Sequence, residues 1–141
     1  MPIIGGYSLE HHVEGESRWL DAPALRLELA KELADLQQDE AWRSTGHSAK
    51  TLVKYSDLRV VLIALKPGAC LSEHRTLGQI SLQTLQGRVR VKVANEVVDL
   101  PAGALLALAA SVPHDVEAVE QSALLLTISL PAPTESGTTT R

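Results

Sequence analysis

Residues 87–119 read GRVRVKVANEVVDLPAGALLALAASVPHDVEAV, and this stretch decides the fold. Within it, 88–93 alternates basic and apolar residues strictly, which is typical of a β-strand with one buried face. Turn sequences follow at Ala94-Asn95-Glu96 and Pro101-Ala102-Gly103. Short strands joined by such turns predict an antiparallel β-sheet. Within this stretch, further strands are predicted at 97–100, 104–108 and 114–119.

The same pattern continues on both sides of this stretch. Residues 58–65 (LRVVLIAL) form an apolar run that the turn sequence Lys66-Pro67-Gly68 closes. Strands are also predicted at 79–85 and 123–130. Because no helical pattern lies between the strands, a parallel βαβ arrangement is disfavoured. The sequence therefore predicts an all-β fold, an antiparallel β-barrel of the jelly-roll or double-stranded β-helix kind.

An N-terminal α-helix is predicted ahead of the strands. Asp21 is the expected N-cap, and Pro23 would occupy the first turn, where a missing N–H costs nothing. The helix is expected to persist through Trp42 and to end at Ser44-Thr45-Gly46. A stripe at helical spacing would face the barrel. Its leucines are Leu25, Leu29, Leu33 and Leu36.

Composition limits the function classes. The chain has 141 residues, 45% hydrophobic, 21% charged and 3% aromatic, with a net charge of −4. These values indicate one soluble globular domain and disfavour nucleic acid or an anionic membrane as a partner. We expect no signal peptide and no membrane span. The single cysteine, Cys70, excludes an intrachain disulfide and favours a cytoplasmic location.

We divide the chain into three predicted regions. Residues 1–50 form an arm and a helix that pack on the barrel, and residues 51–130 form the barrel itself. Residues 131–141 are expected to be disordered, because they contain no apolar side chain larger than alanine.

Two spaced motifs carry a resemblance to a known family. Gly68, His74 and Gly87 stand at the spacing of the first motif of the cupin superfamily, which runs Gly, five residues, His-x-His, Glu and Gly. Two family positions differ here: Thr76 stands at the second histidine, and Ile80 stands at the glutamate.

The second cupin motif is matched at Gly103 and His114, and Val112-Pro113-His114 resembles the turn before its histidine. In this motif Ala109, Ser111 and Ala118 replace the family's Pro, Gly and Asn. The resemblance covers about residues 51–130 and implies a small single-domain cupin barrel.

The same resemblance implies a degenerate metal site. Of four family ligands, only His74 and His114 are retained. A firmly held divalent ion generally needs three or four protein donors. We therefore expect a divalent metal (Fe, Mn, Ni or Zn) to bind weakly at these two histidines, if one binds. The ligand-binding residues predicted to line the pocket are His74, Thr76, Ile80, Leu82, His114 and Val116.

Three functions compete at this stage. The first is a small-molecule-binding or sensing cupin of unknown ligand. The second, by family resemblance, is a metal-dependent oxygenase or isomerase that uses His74 and His114 with further ligands. The third is a structural or regulatory homodimer without a ligand. Whatever the function, the strand-rich apolar segments predict a homodimer with an extended aliphatic interface.

Other polar residues have a functional and a structural interpretation. Arg59 could anchor an anion, but a salt bridge with Asp57, Glu73 or another carboxylate, or an outward position on an edge strand, is the simpler interpretation. Gln79 and Gln83 share one strand face, and surface amides are the simpler interpretation. Cys70, expected near the barrel mouth, is taken as buried and inert. The basic stripe Arg88, Arg90 and Lys92 is taken as a solvated sheet face.

Overall fold

The computed structural model describes residues 19–131 and two short strands, β1 (Ile3–Ile4) and β2 (Tyr7–Ser8), which pair antiparallel. For Glu73 and His74 the description extends to the backbone alone. Apart from Pro131, the tail predicted to be disordered lies outside the described residues. Within the described part of the chain, no helix is long and apolar enough to span a membrane.

The strands of the main body form two antiparallel sheets. Their orders are β3-β4-β11-β6-β9 and β5-β10-β7-β8. The all-β prediction is therefore confirmed, and the strands predicted from residue 58 onward agree with the structure to within one residue at each end. The bounds are β3 (His47–Lys54), β4 (Leu58–Leu65), β5 (Cys70–His74), β6 (Gln79–Gln86), β7 (Arg88–Val93), β8 (Glu96–Pro101), β9 (Leu105–Leu108), β10 (His114–Ala118) and β11 (Ser122–Ser129).

The inner faces of the two sheets enclose the main core. Strand alternation places Val89 and Val91 inward, while Arg88, Arg90 and Lys92 face outward. The core is aliphatic, as the absence of phenylalanine requires. Its buried members are Ile63, Leu65, Ile80, Leu82, Val89, Val91, Leu100, Leu108, Val116, Ala118 and Leu124.

Two short helices cover part of the outer face of the five-stranded sheet. They are α1 (Leu29–Leu36) and α2 (Glu40–Thr45). Their apolar residues form a second cluster with this face of the sheet, and the ion pair between Lys50 Nζ and Glu32 Oε1, at 2.7 Å, joins α1 to β3. The buried residues of this cluster are Leu33, Leu36, Trp42, Leu52, Leu62, Ala64 and Ala123.

The predicted helix start at Asp21 is wrong. Helical structure begins at Leu29, and residues 22–28 are not helical. The carbonyls of Leu20 and Ala22 accept hydrogen bonds from Lys54 N–H (2.9 Å) and from the Tyr55 hydroxyl (2.8 Å), so this segment is held against the end of β3. The predicted end is confirmed, because Thr45 closes α2 and Gly46 adopts the left-handed conformation. The prediction of one continuous helix is wrong, because a turn at residues 37–39 separates α1 from α2.

On the outer face of the four-stranded sheet, side chains of opposite charge lie on neighbouring strands. Arg90 lies between Glu117 and Asp99 in the register, and Arg88 pairs with Asp99 at 3.3 Å. Asp115 lies opposite Lys92. The basic stripe is thus flanked by carboxylates on both sides, as the structural interpretation predicted.

Gly87 makes the tight connection between β6 and β7. Its φ is +80°, and a Cβ there would overlap the Gln121 carbonyl oxygen and approach Ser122. Ser122 is buried, and its hydroxyl accepts a hydrogen bond from Arg88 N–H at 3.1 Å. This junction therefore leaves no space for a side chain.

Candidate functional site

His114 is the central polar residue of the site. It begins β10, lies opposite Val93 of β7 and opposite the backbone of His74 in β5, and is only 3% exposed. Its Nδ1 is 3.0 Å from the Val112 carbonyl oxygen. Because a carbonyl oxygen can only accept, Nδ1 is the nitrogen that carries a proton in this contact. The turn before the strand thus fixes the orientation of the imidazole.

Two loops meet beside His114. The backbone N–H of Ser111 donates to the Thr76 carbonyl oxygen at 2.9 Å, and the Thr76 hydroxyl donates to the Gly78 carbonyl oxygen at 2.9 Å. Ser111 has φ +66°, the left-handed conformation that favours the glycine of the family motif at this position. Thr76 and His114, both predicted site residues, therefore lie at the same end of the two sheets.

The position of the family glutamate is apolar and buried. Ile80 faces the main core, whereas Gln79 is exposed on the outer face of the sheet. The register shift between β6 and β11 lies beside Ala123, far from Gln79, so no bulge turns Gln79 inward. Gln83 shares the outer face, and both amides are surface groups, as the structural interpretation predicted.

The other predicted lining residues lie deeper. Leu82 and Val116 are buried members of the main core. They follow Ile80 and His114 at two-residue spacing and therefore share their inward face. The side chain of His74 lies outside the description, but its backbone is directly opposite His114.

Few donors are available for a metal ion. Among the described side chains, no group of three or more His, Cys, Asp or Glu residues lies together. The Thr76 hydroxyl already donates to a carbonyl, and Ile80 supplies no donor. Of the described side chains at this end of the sheets, His114 alone offers an imidazole, and the side chains of Glu73 and His74 are not among those described.

The position of Arg59 differs from the simpler interpretation, which was a salt bridge or an outward position on an edge strand. β4 is an inner strand of its sheet, and Arg59 shares its inward parity with Val61 and Ile63. Within the described side chains it forms no salt bridge, and its buried Nε has no hydrogen-bond partner. Because β4 is apolar on both faces, its sequence carried no signal of which face Arg59 would take.

Cys70 also differs from expectation. It is exposed at the start of β5, opposite Glu117, whereas His114 pairs with the far end of that strand. The cysteine is therefore neither buried nor next to the candidate site.

No protein-family model matches the sequence, and no curated protein matches it. Among solved structures, a cupin superfamily protein from Desulfitobacterium hafniense DCB-2 superposes with a TM-score of 0.59 at 18% identity, over 60% of this chain and 78% of that chain. An RmlC-like cupin from Shewanella frigidimarina gives a TM-score of 0.58 at 22% identity, over 62% and 79%.

The chain has a cupin fold. The same cupin fold relates it to salicylate 1,2-dioxygenase from Pseudoaminobacter salicylatoxidans, solved with gentisate adducts, with a TM-score of 0.70 at 18% identity. That match covers 89% of this chain but 37% of the dioxygenase. The cupin fold predicted from two degenerate motifs is therefore confirmed, and the His114 end of the sheets is the end that the second cupin motif marks.

Proposed function

We propose that this protein binds or senses a small molecule at the end of the cupin fold where His114, Thr76 and the backbone of His74 meet. The observation that carries the proposal is the buried imidazole of His114, whose orientation the Val112 carbonyl fixes. Aliphatic walls with a few oriented polar groups are typical of small-molecule sites. Dioxygenase structures with gentisate and the same fold give further support.

The test is an NMR titration of the ¹⁵N-labelled protein with gentisate and with hydroquinone, its counterpart without the carboxylate. We expect saturable shifts of the amides of Thr76, Ser111 and Asp115 with at least one compound. His114→Ala should weaken that binding at least tenfold. His47→Ala is the control, because His47 pairs with Leu65 at the opposite end of the sheets. Absence of saturable binding by both compounds would contradict the proposal.

The degenerate metal site makes a separate prediction. Thr76→His should strengthen divalent-metal binding roughly tenfold or more, because it restores an imidazole at the family position. His114→Ala should weaken binding, and acid should weaken it in every variant that retains an imidazole ligand, since protons compete for the ligand nitrogens. Calorimetric titration with Zn²⁺ or Mn²⁺ measures all three proteins. Equal affinities would mean that these positions are not the metal site.

A metal-dependent oxygenase is the second candidate, and the likeness to a dioxygenase favours it. It requires donors beyond His114 and His74. Stoichiometric iron, manganese, nickel or zinc in the purified protein, together with oxygen uptake on addition of gentisate, would favour this enzyme over the binding protein.

In addition to a cytoplasmic location, we propose a homodimer. The chain pairs with a second copy through the outer face of β6, β9 and β11. The support for the dimer is an outward surface with no charged side chain, since interface cores are depleted of charge. Its residues are Ser81, Gln83, Leu105, Ala107 and Thr127.

Leu105 provides the test of the dimer. It is 57% exposed on this face, so Leu105→Lys should convert the dimer to a monomer. Val97→Lys should not, although Val97 is 63% exposed, because it lies on the other sheet. Sedimentation measures both variants. A parent protein that is monomeric at micromolar concentration would rule out this dimer, and a dimer that lacks any small-molecule binding would instead favour the structural role.

A further inference from the structure

Arg59 projects from β4 into the space between the sheets. It pairs in register with Ile128 of β11, which packs against the main core, and the register between β4 and β11 has no shift. Cross-strand partners share a face, so Arg59 faces inward with Ile128. An arginine at such a position places a charge at the margin of an aliphatic core.

A second cation lies beside it. Lys54 at the end of β3 is the direct register partner of Arg59. Like charges directly opposite each other on a sheet repel. The structure therefore places an exposed lysine and a half-buried arginine at directly opposite positions at one end of the sheet.

The described carboxylates do not neutralise this pair. Neither Arg59 nor Lys54 forms a salt bridge with a described side chain, and the Nε of Arg59 is shielded from solvent without a hydrogen-bond acceptor. A buried donor without an acceptor costs free energy, and more so when it belongs to a charged group. An arrangement of this kind is stabilised when an anion supplies the acceptors.

The topology places the pair at the His114 end of the molecule. β4 begins at Leu58 and β11 ends at Ser129, and the loop from β5 to β6 and the loop from β9 to β10 both lie at this end. The latter loop leads directly into His114. Arg59 and His114 are therefore inward-facing polar residues on opposite sheets at the same end.

We propose that Arg59, assisted by Lys54, binds the carboxylate of a small organic acid at this end. The inference rests on the proposed function and adds the charge class of the ligand. Guanidinium and carboxylate groups match as bidentate partners, and Nε is one of the donors that face a carboxylate side-on. Lys54 adds a second positive charge, and its ammonium group does not require the planar geometry of a guanidinium pair.

The test compares benzoate with its uncharged counterpart, benzamide, by NMR. The reporter is the Arg59 Nε–Hε cross-peak, assigned by its absence from the Arg59→Gln variant. We expect benzoate to shift this peak saturably and to bind at least tenfold more tightly than benzamide. Arg59→Gln should lose that preference, and Lys54→Gln should reduce it about threefold. Arg88→Gln is the matched control, because Arg88 faces outward toward Asp99.

The outcomes separate the two proposals. Equal binding of benzoate and benzamide, or an Arg59→Gln protein that retains the preference, would overturn the carboxylate site. Hydroquinone binding that depends on His114 would still support the proposed function in that case. Saturable binding of inorganic phosphate in place of benzoate would also overturn the organic-acid class. If Arg59→Gln does not fold, Arg59→Lys replaces it, with loss of the preference expected because lysine lacks the planar fork.

Discussion

Gly87→Ala should destabilise the folded protein by about 4 kcal/mol, which is the sum of left-handed strain and steric overlap for one methyl group. The added Cβ would overlap the Gln121 carbonyl oxygen and lie 2.9 Å from the Ser122 Cα. Both are backbone atoms in the turn that leads into β11, so a side-chain rotation cannot relieve the overlap. Urea denaturation followed by circular dichroism measures the change.

Gly103→Ala is the matched control for this prediction. Gly103 has φ +92°, but a Cβ there would meet no atom within 4 Å. Gly103→Ala should therefore lower the free energy of unfolding only by the cost of the left-handed strain, about 1–2 kcal/mol. If both variants lose the same free energy of unfolding, the Gly87 junction relaxes around the added methyl group and its close packing does not contribute to stability.

Leu33→Glu should cost about 3–4 kcal/mol, because it removes an apolar side chain from the second cluster and places a carboxylate there. Leu33 is buried on α1 against the cluster that includes Leu52, Leu62 and Trp42. Thermal unfolding followed by tryptophan fluorescence, with Trp19→Phe in both proteins so that Trp42 alone emits, reports on this cluster directly.

The comparison variant is Asp21→Ala. Asp21 is exposed and lies eight positions before the helix begins, so we expect a change within about 0.5 kcal/mol. A loss near 1 kcal/mol would instead support Asp21 as a helix cap. Similar melting of Leu33→Glu and the parent protein would show that the helices do not stabilise the sheet.

The helix start could not be predicted from the leucine pattern. Leu25 and Leu29 fit helical spacing, but with Leu27 between them they also alternate with a period of two, as in an extended chain. Helical structure begins only at Leu29, and Lys54 and Tyr55 hold the carbonyls of Leu20 and Ala22 ahead of it. These contacts join residues more than 30 positions apart, and a local sequence pattern does not contain them.

Strands marked by alternation or by an apolar run were predictable, and strands with neither pattern were not. Arg88–Val93 alternates fully, and its bounds agree with the structure. Cys70–His74 contains one large apolar residue, so no period identified it as a strand. In the candidate site, the motif spacing located His114, whereas the inward position of Arg59 depends on how two sheets stack.

The place of β11 has a consequence for how the protein is made. This strand lies between β4 and β6, so it joins the β3-β4 pair to the β6-β9 pair. During translation both pairs emerge before residues 122–129, and until then β4 and β6 present unpaired N–H and C=O groups along one edge. In many sheets a C-terminal truncation removes an edge; here it would divide the five-stranded sheet into two separate pairs of strands.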